Sequence, residues 1–169
     1  KLNQARFETR AIREAEQRGA FNEHSPALHL TSSYVFSDAE NAADIFAERI
    51  RTFSYSRFAN PTVSMFEEKM ALLEGGARAT ATSTGMGAIL TLLMAELSAG
   101  DHVVCSRNCF GSTLNMIGKT FAKFGVDSTL VDLQSLEQWQ AAIRPNTKLF
   151  FLETPANPLL DIGDIAALS

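Results

Sequence analysis

A phosphate-sized anion finds its best seat in Ala79-Thr80-Ala81-Thr82-Ser83-Thr84-Gly85-Met86-Gly87-Ala88-Ile89-Leu90. Small and β-branched residues lead into a glycine pair, and an amphipathic run follows in which Met86, Ile89, Leu90, Leu93 and Leu97 recur at helical spacing. The stretch reads as strand, tight turn and helix. The first N–H groups of such a helix have no partner within it, and the positive end of its dipole faces outward. Glycine lacks a Cβ, so a ligand can approach the backbone closely. The chemistry on offer is anion binding, best suited to a phosphate. Gly85-x-Gly87 lacks the third glycine of a dinucleotide fingerprint, and no Lys follows as in a P-loop. Two glycines easing a helix against its sheet would leave the same letters.

Other reactive residue types are sparse. Cys105 and Cys109 lie four apart with no second pair, which is not a zinc motif, and they read as free thiols of a reducing cytosol. His24, His29 and His102 are scattered without metal-ligand spacing, so no metal site is expected. The 169 residues are 46% hydrophobic and 20% charged, an ordinary soluble globular composition. A net charge of −4 argues against non-specific nucleic-acid binding. No apolar run reaches the length of a bilayer, and the polar start Lys1-Leu2-Asn3-Gln4 does not read as a signal peptide. The expectation is a cytoplasmic protein with no nucleic-acid or membrane partner.

The elements that must position the anion seat begin at Asn60. Asn60-Pro61 is a helix start, with Asn as N-cap and Pro at the first helical position. Val63, Phe66, Met70 and Leu73 form its buried stripe, and Gly75-Gly76 ends it. Strands are then expected over 77–83, 102–106, 126–131 and 148–152. Between them lie helices over 86–97, 113–124 and 136–143, with a last helix from near Ile162. Such alternation means an α/β fold, a mostly parallel sheet with helices on both faces. In these sheets ligands bind at the C-terminal ends of the strands. Thr84–Met86, Asn108–Gly111 and Glu153–Asn157 fall there.

Residues 1–60 are of a different character. A short helix over 6–18, closed by Gly19, precedes an extended arm over 21–36. Ser37-Asp38 then caps a helix in which Ala42, Ile45, Phe46, Arg49 and Phe53 share a face. These residues are too poor in long apolar stripes to build a core, so they are expected to lie on another surface, such as a neighbouring subunit. The chain stops within a helical pattern at Ala166-Ala167-Leu168-Ser169. A parallel sheet ending this way keeps an open edge, and we expect the front part of a longer chain.

Four motifs occur in order: Tyr55-Ser56-Arg57-x-x-Asn60-Pro61-Thr62, Ser83-Thr84-Gly85-Met86-Gly87-Ala88, Asn108-Cys109-Phe110-Gly111-Ser112-Thr113 and Glu153-Thr154-Pro155-x-Asn157-Pro158-Leu159. Together they resemble the Cys/Met-metabolism family of pyridoxal-phosphate enzymes of fold type I. That family holds cystathionine synthases and lyases, methionine γ-lyases and O-acylhomoserine sulfhydrylases. The resemblance runs from Arg6-Phe7-Glu8-Thr9 to the end, and Thr31–Phe36 and Phe110 are most similar to the sulfhydrylases acting on O-succinylhomoserine.

The resemblance implies pyridoxal 5′-phosphate as cofactor. It makes 1–60 an arm on the neighbouring subunit and 61–169 the first part of the cofactor-binding large domain, whose remainder and C-terminal domain would follow. The Gly85 and Met86 N–H groups would hold the cofactor phosphate, with Thr84 beside them where the family commonly has Ser. Tyr55 and Arg57 would reach across a subunit interface to the neighbour's phosphate, a task suited to a guanidinium fork. Phe110 would stack on the pyridine ring, Asn157 would hydrogen-bond the phenolic oxygen, and Glu153 would serve in the same cofactor-binding loop. The family's Schiff-base lysine, in a Ser-x-Thr-Lys stretch, and its Asp on the pyridine nitrogen have no counterpart here. Lys69, Lys119, Lys123 and Lys148 sit in no such motif.

The implied reaction is γ-replacement on O-succinylhomoserine by sulfide, giving homocysteine and succinate for methionine supply. The implied assembly is a homotetramer, a dimer of dimers with shared sites. The same motifs belong to cystathionine γ-synthases and to cystathionine and methionine γ-lyases, and a non-catalytic binding or assembly domain would keep the same fold. Phe110 stands where the family usually has Tyr. Both rings stack, but only Tyr offers a proton, so Phe110 favours a substrate whose leaving group departs as a carboxylate.

Overall fold

The computed structural model describes residues 5–16 and 18–169. The polar start at 1–4 and Gln17, inside the helix expected over 6–18, lie outside the described residues. The chain divides into two units, Lys1–Ala81 and Thr82–Ser169.

The first unit contains α1 (Phe7–Arg13), α2 (Ala39–Phe46) and α3 (Pro61–Glu74). Asn60 caps α3 by accepting the Thr62 N–H at 2.9 Å, Pro61 opens the helix, and Gly75, left-handed at φ 68°, ends it. The Asn60 amide also donates to the His29 carbonyl at 2.9 Å, the Ser56 hydroxyl at 3.0 Å and the Tyr34 hydroxyl at 3.2 Å. One capping residue thereby ties the extended arm to the chain before α3. α2 stops at Phe46, short of the expected Phe53, because the Asp44 carbonyl takes the N–H groups of both Arg49 and Ile50. The Asp44 carboxylate grips the Arg49 guanidinium at 2.6 Å, which closes the turn.

Polar contacts join the helices of this unit, beside the aromatic pairs Tyr34–Phe53 and Phe36–Phe46. Arg10 donates to the Leu72 carbonyl at 3.0 Å and Lys69 to the Ile12 carbonyl at 3.1 Å, joining α1 to α3. Among the described residues, Ala71 is its one buried hydrophobic side chain, and Val63 and Phe66 of the expected buried stripe are exposed. The strand expected over 77–83 does not form. The Ala81 N–H goes to the Glu67 carboxylate of α3 at 2.8 Å, and no backbone among the described residues pairs with the segment.

The second unit contains α4 (Gly85–Glu96), β1 (His102–Ser106), α5 (Gly111–Asn115), β2 (Asp127–Val131), α6 (Leu136–Ala141), β3 (Thr147–Phe151) and α7 (Ile165–Leu168). α5 runs on through a π turn, Met116–Thr120, and a 3-10 turn, Phe121–Phe124. The strands are parallel in the order β2-β1-β3. All five residues of the central strand are buried, as a strand covered on both faces must be. Side chains alternate between faces along a strand. Val103 and Cys105 pack against Leu93 of α4, Ile117 and Phe121, while Val104 packs against Val131, Trp139 and Ala142. Helices therefore cover both faces of a parallel sheet.

At the sheet's N-terminal end, the fully buried His102 clips all three strands together. Its ring nitrogens bond the hydroxyls of Thr147 of β3 at 2.8 Å and Thr129 of β2 at 2.9 Å. Burial first, and then the Arg144 charge, hold its pKa below the usual histidine value against the opposing pull of Asp127.

Candidate active site

At the start of α4, Thr84 is extended (φ −151°, ψ 154°) and its hydroxyl accepts the Gly87 N–H at 2.9 Å. Its carbonyl accepts the Ala88 N–H at 3.0 Å. The Gly85 and Met86 N–H groups have no protein acceptor among the described residues, and they lie at the positive end of the helix dipole. A Cβ on Gly85 would meet nothing within 4 Å, so the space beside the Gly85 Cα is open. A Cβ on Gly87 would stand 3.0 Å from the Thr84 hydroxyl. The two glycines thus differ in purpose: Gly87 lets the cap close, and Gly85 leaves room beside it.

The segments that follow the three strands enclose a cavity of about 530 Å³. Residues 107–111 after β1, Asp132 after β2, and 156–159 with Asp161 after β3 line it. Phe110 and Asn157 are among them, and Thr84, Gly85 and Met86 are not. Phe110 is half-exposed, and the exposed Asn157 side chain has no hydrogen-bond partner among the described residues. Asn108 braces the cavity by donating to the Asp161 carboxylate at 2.7 Å, and its own carbonyl oxygen is buried without a partner.

Glu153 stands just past β3 and faces the start of α5. Its carboxylate accepts the Phe110 N–H at 2.9 Å and the Thr113 hydroxyl at 3.4 Å. Cys105 and Cys109 are free and buried, with their sulfurs 3.9 Å apart. The hydrogen bond to Cys109, burial and the Glu153 charge push the Cys105 thiol far up, so it stays protonated and unreactive. Asn108, Thr113 and Asp161 are structural members of this site that the residue pattern did not single out. Asn108 and Thr113 lie within a quoted motif, but nothing local announces their partners.

Tyr55 and Arg57 lie in the first unit. Tyr55 pairs with Ser33 in an antiparallel bridge flanked by Tyr34 N–H to Ser54 carbonyl (3.1 Å) and Ser56 N–H to Ser32 carbonyl (2.9 Å). The exposed Arg57 guanidinium lies 5.5 Å from the Tyr55 ring centre and 5.4 Å from that of Phe58. It makes no ion pair among the described residues.

Residues 8–169 match the family model of Cys/Met metabolism PLP-dependent enzymes. The chain is 49% identical over 168 residues to an O-succinylhomoserine sulfhydrylase of Pseudomonas aeruginosa, covering 99% of this chain and 42% of that protein. It is 40% identical over 167 residues to an L-methionine gamma-lyase of Porphyromonas gingivalis, again 99% of this chain and 42% of the relative. A Campylobacter jejuni crystal structure, assigned as an O-acetylhomoserine (thiol)-lyase and containing N′-pyridoxyl-lysine-5′-monophosphate, superposes with a TM-score of 0.87. That match has 30% identity and covers 96% of this chain and 40% of that one. The chain thus spans about two-fifths of the length of the relatives it matches. Its residues fit the family's cofactor. Two unpartnered N–H groups at an open helix start suit a phosphate, and a half-exposed ring and a free amide in a cavity suit an aromatic heterocycle bearing a hydroxyl. The chain belongs to the Cys/Met-metabolism family of pyridoxal-phosphate-dependent enzymes.

Proposed function

We propose that the full-length protein carries out γ-replacement on O-succinylhomoserine, with sulfide entering and succinate leaving to give homocysteine. The observation that carries this reading is the likeness of nearly the whole chain to a protein named for that reaction. Phe110 agrees with it. A thiol leaves easily only when protonated, whereas succinate leaves as a stable carboxylate, and a phenyl ring has no proton to give.

Bound pyridoxal phosphate supplies the electron sink that lets an amino-acid substrate lose its α-proton. We assign the phosphate to the Gly85 and Met86 N–H groups, which the Thr84 cap holds pointing outward. The ring face falls to Phe110 and the phenolic oxygen to Asn157, with Glu153 in the same constellation. Tyr55 and Arg57 are assigned to the phosphate of a neighbouring subunit in a cytoplasmic homotetramer. Support for this comes from Arg57, whose guanidinium is exposed and unpaired among the described residues. The catalytic lysine belongs to the part of the protein beyond this chain.

A γ-elimination reading has the methionine gamma-lyase relative in its favour. The two separate in one assay. The full-length protein, saturated with cofactor, is given O-succinylhomoserine with sulfide, with cysteine or with no thiol, and separately methionine alone. We expect homocysteine and succinate from the sulfide reaction. Methionine cleavage should be slower by roughly 10²-fold or more, the worth of a missing general acid. Methionine cleavage at a comparable rate overturns the assignment in favour of elimination.

A further inference from the structure

α5 starts at Gly111 with Phe110 as its N-cap residue, and Phe110 has no side-chain acceptor to offer. The first N–H groups of a helix need acceptors from outside its own ladder. A polar N-cap side chain usually supplies one, and in a capping box the third helical residue reaches back to the N-cap N–H. Here the third residue is Thr113, whose side chain is too short for that reach. Glu153, arriving from the end of β3, takes the place of that third residue by accepting the N-cap N–H. One carboxylate oxygen accepts the Phe110 N–H at 2.9 Å and the other accepts the Thr113 hydroxyl at 3.4 Å. Thr113 is fully buried, so the carboxylate is held from two directions by groups that cannot swing away. Its negative charge also suits the positive end of the helix dipole. The backbone it grips belongs to the residue whose ring stands half-exposed in the cavity.

We propose that Glu153 is the positioning residue of Phe110. By holding the Phe110 N–H and the Thr113 hydroxyl it sets the angle of the Phe110 ring in the cavity, and so the face offered to an aromatic heterocycle. The inference rests on the ring-stacking role assigned to Phe110 above. It differs from a role for Glu153 as a direct ligand, because the carboxylate here acts through the Phe110 backbone and the Thr113 hydroxyl that it holds.

The test uses the full-length protein carrying Glu153→Ala or Glu153→Gln. In the cofactor-free protein, hydrogen–deuterium exchange is followed across the peptide 107–114. Glu153→Ala should speed exchange at Phe110 by about tenfold or more, the worth of a lost charge-assisted bond. Glu153→Gln, which keeps an acceptor oxygen, should stay near wild type. With pyridoxal 5′-phosphate bound, visible circular dichroism should lose amplitude in the Ala variant and recover in the Gln variant. Should the Ala variant fail to fold, Thr113→Val removes one arm of the grip and gives the same comparison at smaller amplitude.

Unchanged exchange at Phe110 in the Ala variant overturns the proposal. So does faster exchange with an unchanged dichroism band, since the grip would then not orient the ring. A Gln variant that keeps its protection but binds cofactor as poorly as the Ala variant overturns it too, in favour of direct contact through the charge. Neither readout depends on which substrate is turned over, so a failed sulfhydrylation assay leaves this result intact.

Discussion

Two helices of the second unit begin at a glycine, α4 with Thr84-Gly85-Met86-Gly87 and α5 with Phe110-Gly111-Ser112-Thr113. Each start presents backbone N–H groups at the positive end of a dipole. At α4 the cap is local: Thr84 satisfies Gly87 and Ala88, and the Gly85 and Met86 donors stay open. At α5 the cap is borrowed. Glu153 lays a carboxylate against Phe110 and Thr113, so the negative charge there is already the protein's own. A second anion would meet repulsion at α5 and attraction at α4. On the proposed assignment, what separates an anion seat at α4 from a structural cap at α5 is which side chain the fold delivers to the helix, and the glycine does not reveal it.

The sharpest way to break this contrast is to delete one donor at each start. Proline at the first helical position removes an N–H without disturbing a helix. The preceding residues, Thr84 at ψ 154° and Phe110 at ψ 138°, already hold the extended backbone that a following proline requires. A Cβ on either glycine meets nothing within 4 Å. Gly85→Pro in the full-length protein should cost the affinity for pyridoxal 5′-phosphate, relative to unphosphorylated pyridoxal, roughly 10- to 150-fold. Gly111→Pro should leave that ratio unchanged. Titrations of both ligands against both apo variants decide it, and equal losses at the two sites would erase the distinction.

A smaller effect tests how the open donors are held. Thr84→Ala removes the hydroxyl that fixes the Gly87 N–H and should destabilise the protein by about 1 kcal/mol, while Thr84→Ser should stay close to wild type. Denaturant midpoints measure this directly. An Ala variant as stable as wild type would mean that the cap does not secure the seat.

The smallest effect is a control at the opposite end of the sheet, where no ligand is assigned. His102 is held neutral, its pKa lowered first by burial and then by the Arg144 charge. An unfolded histidine titrates near about 6.5, so the folded chain resists a proton that the unfolded chain accepts. The stabilisation from this neutral clip is whole above about pH 6.5 and drains away as the pH falls from there toward the lower folded value. Melting temperatures between about pH 7.5 and 5.5 should fall for wild type more steeply than for His102→Gln. Parallel curves would remove His102 as the source.

Much of the architecture was legible before any coordinates. Strand 102–106 forms as expected, and the expected strands over 126–131 and 148–152 appear as Asp127–Val131 and Thr147–Phe151. Asn60 caps the helix its sequence announces, and the helix expected over 86–97 forms as Gly85–Glu96 with Thr84 as its cap. The exceptions share a cause. The segment 77–83 has the letters of a strand, but Ala81 gives its N–H to Glu67 and finds no ladder. Val63 and Phe66 have the spacing of a buried stripe and are exposed, since nothing in their unit covers them.

The site divides along the same line. Periodicity, caps and turn residues act within about one helical turn, so neighbouring letters alone determined the start of α3 at Asn60-Pro61, the strand–helix alternation from α4 onward and the open donors at the start of α4. Ordered motifs added the family. Only the tertiary structure decided that Glu153 reaches Phe110, that Asn108 meets Asp161 and that His102 spans three strands. Each of these bonds joins residues on different strands or their following loops, and the parallel pairing of β2, β1 and β3 brings them together. That pairing depends on the packing of both sheet faces at once, which no short stretch of sequence contains.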